Sequence, residues 1–159
     1  MKISFFLTSI CLIAISCNES NLKLIEKASY PSLKEERLGQ SKYFVKYPSS
    51  MFIEEARGKE GQLGYGLWQI DSSKRYTSYS GFIEIERGNP IGGRTDIENV
   101  IDKVRSNMLD ESVKWKIGIT ETGYFNAAAS RGKLTLTVSS STREGIDSMI
   151  AIISTLSTR

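Results

Sequence analysis

Glu84 and Glu86 are the residues of this chain most open to a catalytic reading. They lie two apart in Gly81–Arg87, where Ile83 and Ile85 alternate with Phe82, Glu84 and Glu86. In a strand, both carboxylates project from one face. Two carboxyl groups held close together can divide general acid and base work on a glycosidic bond. No third group is placed to separate their pKa values, so a solvated strand face is the reading taken. Ser130-Arg131-Gly132-Lys133 has the Ser-x-x-Lys spacing of an acylating serine. It falls in a tight turn between strands, and the companion motifs Ser-Asp-Asn and Lys-Thr-Gly are missing. Gly61-x-x-Gly64-x-Gly66 reverses the glycine spacing of a dinucleotide fingerprint and sits inside a strand pattern. Small residues beneath a packed helix are expected there. The chain has no histidine, which removes the commonest general base and metal ligand. No catalytic residue, cofactor or metal site is assigned, and the chain is read as non-enzymatic.

A binding surface is better founded. Trp68, Arg75, Tyr76 and Tyr79, with Lys74, gather in and beside the polar loop Asp71–Tyr79. Aromatic and Arg side chains anchor protein interfaces, and aromatic rings also stack on sugars. The preceding segment, Leu63–Ile70, puts Leu63, Tyr65 and Leu67 on one face. Gly64 and Gly66 on the other face leave room for a close approach to the backbone. Tyr76 and Tyr79 are expected to be exposed and continuous with that strand.

The amino-terminal residues bear on location. Lys2 precedes an apolar run, Ile3–Ile15, which ends in Ala14-Ile15-Ser16-Cys17. A charged start, an apolar centre and a small residue at the junction are the layout of a secretory signal. The run is about 13 residues, short of the roughly 20 that span a bilayer. With Cys17 at the junction it resembles a bacterial lipoprotein signal. The resemblance implies that residues 1–16 are removed, that Cys17 receives a diacylglyceryl group on sulfur, and that the new amino terminus is acylated. Two or three acyl chains hold a protein stably on a membrane. Asn18, not Asp, follows Cys17, which favours the outer over the inner membrane, with the body in the periplasm or at the cell surface. Cys11 and Cys17 are the two cysteines; one leaves with the signal, the other is capped by lipid, and no disulfide is expected. The formal charge of +3 is too mild to argue for nucleic acid.

These features need elements to position them. Residues 17–40 read as a flexible lipidated tether, whose roughly 23 residues would span about 25–30 Å. Residues 41–159 read as a single α+β domain. Tyr43–Tyr47 is a strand stopped by Pro48, and Met51–Ala56 is a second. Thr95-Asp96-Ile97-Glu98 matches a capping box, and Ile97, Val100, Ile101, Val104 and Met108 recur at helical spacing. A first amphipathic helix is expected there. Trp115–Ile119, Tyr124–Ser130 and Leu134–Val138 read as an antiparallel meander. Ser141-Thr142-Arg143-Glu144 opens a second helix with a stripe of Ile146, Met149, Ile150, Ile153 and Leu156. The expectation is an antiparallel sheet with two amphipathic helices packed on it.

An opening strand that ends in Tyr47-Pro48, Gly-rich paired strands, a mid-chain helix, a three-strand meander and a terminal helix resemble the PsbP-like α/β/α sandwich. That family includes DcrB-like bacterial lipoproteins. The resemblance covers about residues 41–157 and implies a non-enzymatic domain that binds or escorts a protein partner in the cell envelope. The alternative is an envelope protein that binds or cleaves cell-wall carbohydrate.

Overall fold

The structure, a computed structural model, describes residues 21–29, 31–57, 63–69, 79–85 and 97–159. The strands are β1 (Lys23–Ile25), β2 (Leu33–Arg37), β3 (Tyr43–Pro48), β4 (Met51–Arg57), β5 (Leu63–Gln69), β6 (Tyr79–Ile85), β7 (Val100–Met108), β8 (Glu111–Ile119), β9 (Phe125–Arg131), β10 (Leu134–Ser140) and β11 (Ser157–Thr158). One helix, α1 (Arg143–Ile153), precedes β11. Eight strands form one sheet in the order β1-β7-β8-β9-β10-β6-β5-β4, and β11-β3-β2 form a second. The large sheet is mixed, since β1 runs parallel to β7 while the other neighbours are antiparallel.

One face of the large sheet carries the core. Tyr65, Leu67, Ile83, Leu134, Leu136, Val138, Ala127, Ile117, Trp115, Val104 and Met108 alternate inward along six strands. They share one cluster with Val45, Tyr47 and Leu38 from the small-sheet region and with Ile146, Met149, Ile150 and Ile153 of α1. The helix stripe read from the sequence is therefore the buried stripe observed. Thr142 is the N-cap, its hydroxyl accepting from the Gly145 N–H at 3.1 Å. The helix settles onto β6 at Gly81, where a Cβ would run into Met149 and Ile153. The β8–β9–β10 meander, the inward set of β6 and the strand ending at Pro48 also follow their periodicity.

The expected α+β sheet with two helices is overturned, because the molecule is mostly β with a single helix among the described residues. The segment with helical spacing is β7 from Val100 onward. In it Val104, Ser106 and Met108 point inward, while Lys103 and Asn107 are exposed. Val100 and Ile101, which a helix would have buried, are 43% and 54% exposed. The apolar spacing misleads because one inward position is polar: Ser106 accepts a hydrogen bond from the Trp115 indole. Among the described residues, the stretch expected to supply the mid-chain helix of the PsbP-like order thus forms β7 instead. Residues 21–40, expected in a free tether, carry β1 and β2 and bury Ile25 and Leu38.

Candidate functional site

The second face of the large sheet is built differently. Facing rows, read across the ladders, are Phe52–Trp68–Ser80–Ser139–Asn126–Gly118–Val100 and Glu54–Gly66–Phe82–Thr137–Ala128–Lys116–Lys103. Small and polar residues occupy its centre, and aromatic side chains occupy the β4–β5–β6 side. Gly64 and Gly66 are needed here for space. The tip of the Phe82 ring fills the position of a Gly64 Cβ, and the indole edge of Trp68 lies over Gly66. The room that these glycines leave is therefore taken by two aromatic rings, not by a helix.

Beside Phe82 a pocket of about 600 Å³ opens, within the size range of small-ligand sites. Phe82, Thr137, Ser139 and Asn126 form its floor. Ile97, Glu98 and Asn99 form one wall and cross Gly118 closely: a Cβ there would meet the Ile97 side chain and the Glu98 carbonyl oxygen. Ile119, Thr120, Glu121 and Thr122 form the other wall. Thr120 sets that turn. Its carbonyl accepts from Gly123 N–H at 2.9 Å, and its hydroxyl accepts from Tyr124 N–H at 3.0 Å and lies 2.9 Å from the Thr122 hydroxyl. Among the described residues the lining holds two carboxylates, Glu98 and Glu121, and no Lys or Arg. It offers an aromatic ring, an amide and several hydroxyls. A wider groove of about 1470 Å³ runs between β2–β3–β11 and the β7–β8 and β9–β10 turns. Its cations include Arg131 and Arg159, which are paired with Glu111 and Glu35.

The sequence candidates are dispersed. Trp68 is half-buried on β5 on this same face. Tyr79 opens β6, its backbone paired with Ser140; Lys74, Arg75 and Tyr76 lie outside the described residues, as do Cys17, Gly61 and Glu86. Glu84 shares the face of Phe82 but is 1% exposed, so the solvated strand face expected for it is corrected. It lies between Gly64 and Thr135 in the ladder. Ser130 is exposed near the end of β9, and Lys133 lies at the turn to β10, which Gly132 makes at φ 55°. Sequence reasoning placed Phe82 on the correct face but missed Asn126, Thr137 and the wall at 97–99. The alternation of β9 and β10 was the signal available for the first two. No cluster of three or more metal-ligating side chains occurs among the described residues. No helix among them is long and apolar enough to cross a membrane.

No protein-family model matches the chain, and no curated protein matches it.

Proposed function

We propose that this protein is a lipid-anchored, non-catalytic binding protein of the bacterial cell envelope, and that its ligand is a neutral, hydroxyl-rich molecule, an envelope saccharide, held in the pocket beside Phe82. The observation that carries the reading is the lining itself. Phe82 offers an aromatic side chain for the apolar side of a sugar. Asn126, Thr137 and Ser139 offer donors and acceptors, and Glu98 and Glu121 accept from hydroxyls. The described lining has no cation to select a phosphate or carboxylate. The anchor rests on the Ala14-Ile15-Ser16-Cys17 junction.

Two experiments test the two halves. Intact mass of the natively expressed protein and of Cys17→Ala reads the anchor: a lipid-sized gain that the variant loses, together with membrane association, supports it. Titration with soluble cell-wall oligosaccharides reads the pocket. Binding that weakens at least tenfold in Phe82→Ala and Asn126→Ala supports the saccharide; no binding to any neutral glycan overturns it. The second reading, a protein partner, draws on half-buried Trp68, and cross-linking in intact membranes with loss of the adduct in Trp68→Ala would favour it.

A further inference from the structure

We infer that the end of the large sheet where β7 begins rests on the lipid surface to which Cys17 is attached. The inference builds on the acylation of Cys17 proposed above. Among the described residues three large apolar side chains are exposed: Val100, Ile101 and Tyr124. All three sit at one end of the sheet. Val100 pairs with Gly118 near the end of β8, and Tyr124 precedes β9, whose first residue pairs with Ile119. β8 separates β7 from β9, so Val100 and Tyr124 are two strand spacings apart, roughly 10 Å. Scattered exposed apolar residues are ordinary; their collection at one end is what needs a cause.

Ile101 is the most telling. The ladder between β7 and β8 shifts register between Val100 and Asp102, so Ile101 is the unpaired residue of a bulge. Bulges re-aim side chains and recur beside functional surfaces. This one displays a β-branched apolar side chain 54% exposed.

The anchor arrives at the same end. β1 is parallel to β7, with Lys23 opposite Val104 and Ile25 opposite Ser106. The chain before Lys23 therefore enters from the side where β7 starts. Arg105 donates to the Leu22 carbonyl at 3.3 Å, and Lys23 pairs with Asp147 near the start of α1 at 2.7 Å, which fixes that approach. Lys23 lies six positions after Cys17, a reach of about 20 Å when fully extended. The start of β7 lies about 13 Å beyond Lys23's partner. An acylated Cys17 thus holds this end against the bilayer and cannot leave the domain swinging freely. Tyr124 suits the interface, where an apolar ring and a polar hydroxyl are both satisfied. Ile97–Asn99 directly precede Val100, so a ligand in the pocket is presented close to the lipid surface.

The test uses the protein expressed in its native host and extracted from its membrane. Ile101→Cys and, at the opposite end, Ser130→Cys are labelled with an environment-sensitive fluorophore after purification, and intact mass establishes the lipid on Cys17 for each. The proteins are then placed in vesicles that carry a shallow nitroxide lipid. The expected result is severalfold stronger quenching at 101 than at 130. Equal, weak quenching at both positions in protein shown to be acylated overturns the docking while leaving the anchor intact. Absence of lipid on Cys17 by mass overturns the anchor and the docking with it.

Discussion

The indole N–H of Trp115 donates to the hydroxyl of Ser106 at 3.0 Å, and both residues are 0% exposed. Trp115 is the largest fully buried side chain of the described core, and this bond is what permits its nitrogen to be there. A buried donor that loses its partner costs about 1–3 kcal/mol. Ser106→Ala is therefore expected to lower unfolding stability by that amount in urea titration, with an unchanged slope. A loss below about 0.5 kcal/mol would mean that the indole finds another acceptor.

The β7–β8 turn makes a second claim of this kind. Leu109 and Asp110 stand at φ 51° and 63°, the two positive values of a type I′ hairpin, which favours Asn-Gly. A leucine there is unfavourable. Arg131 compensates: one guanidinium nitrogen donates to the Met108 and Leu109 carbonyls at 2.6 and 2.9 Å, and the group pairs with Glu111 at 2.8 Å. Arg131→Ala should destabilise by about 1–3 kcal/mol. Replacing the turn by Leu109→Asn with Asp110→Gly in that background should restore a large part of the loss. Thermal unfolding of the three proteins checks both steps, and no rescue would show that the turn is not where Arg131 acts.

These two contacts also explain what the sequence concealed. Strands that alternate cleanly against the core, such as Leu134, Leu136 and Val138, are legible from one chain. So is the helix stripe of Ile146, Met149, Ile150 and Ile153. β7 is not, because its inward Ser106 is polar for the sake of a residue nine positions away, and its turn lacks a hairpin signature. β2, with Lys34, Glu35 and Glu36 exposed, has no apolar pattern at all; it is a strand because β3 offers it a ladder. β1 is three residues long and pairs with a segment about eighty positions later. The pocket was half visible. Phe82 and the glycines beneath the rings could be placed on one face, but its wall at Ile97–Asn99 is positioned by long-range packing on Gly118.

Tyr65 is an opposite case to Trp115. It is 2% exposed, and its hydroxyl is buried without a hydrogen-bond partner among the described residues. The oxygen presses against Gly39, which has φ 52°. Burial and then the nearby Glu55 carboxylate raise its pKa, so the phenol stays neutral. An unpaired buried hydroxyl costs free energy that Phe would not incur. Tyr65→Phe should leave stability unchanged or raise it by up to about 1 kcal/mol. A clear loss in thermal unfolding would reveal a bonded hydroxyl.

Tyr47 gives the molecule an alkaline sensitivity. Burial, then its hydrogen bond to Glu36 and that carboxylate's charge, push its pKa well above the ordinary tyrosine value of 10.0. A group whose folded pKa is raised contributes stability that is full below the unfolded value and is lost as the pH climbs toward the folded one. Stability should therefore fall above pH 10, where the unfolded chain releases the phenolic proton and the folded one retains it. Tyr47→Phe should be less stable at pH 7 but show a shallower decline between pH 9 and 11. Parallel denaturant titrations decide it; equal slopes would assign the alkaline loss to other groups.

The two glycines under the aromatic rings separate stability from binding. An Ala at Gly64 would place its Cβ where the tip of the Phe82 ring lies, and an Ala at Gly66 would meet the indole edge of Trp68. Phe82 lines the pocket and Trp68 does not. Both substitutions require a ring to move, and each adds a methyl to a strand interior that a glycine weakens, so their effects on folding should be similar. Their effects on a saccharide should differ. Gly64→Ala swings the Phe82 ring off the floor and should weaken binding about tenfold, or 1.4 kcal/mol, whereas Gly66→Ala should bind as the parent does. If the two variants lose affinity equally, the ligand contacts the sheet through Trp68 as well, and the binding face extends across β5 toward the loop where the sequence first placed it.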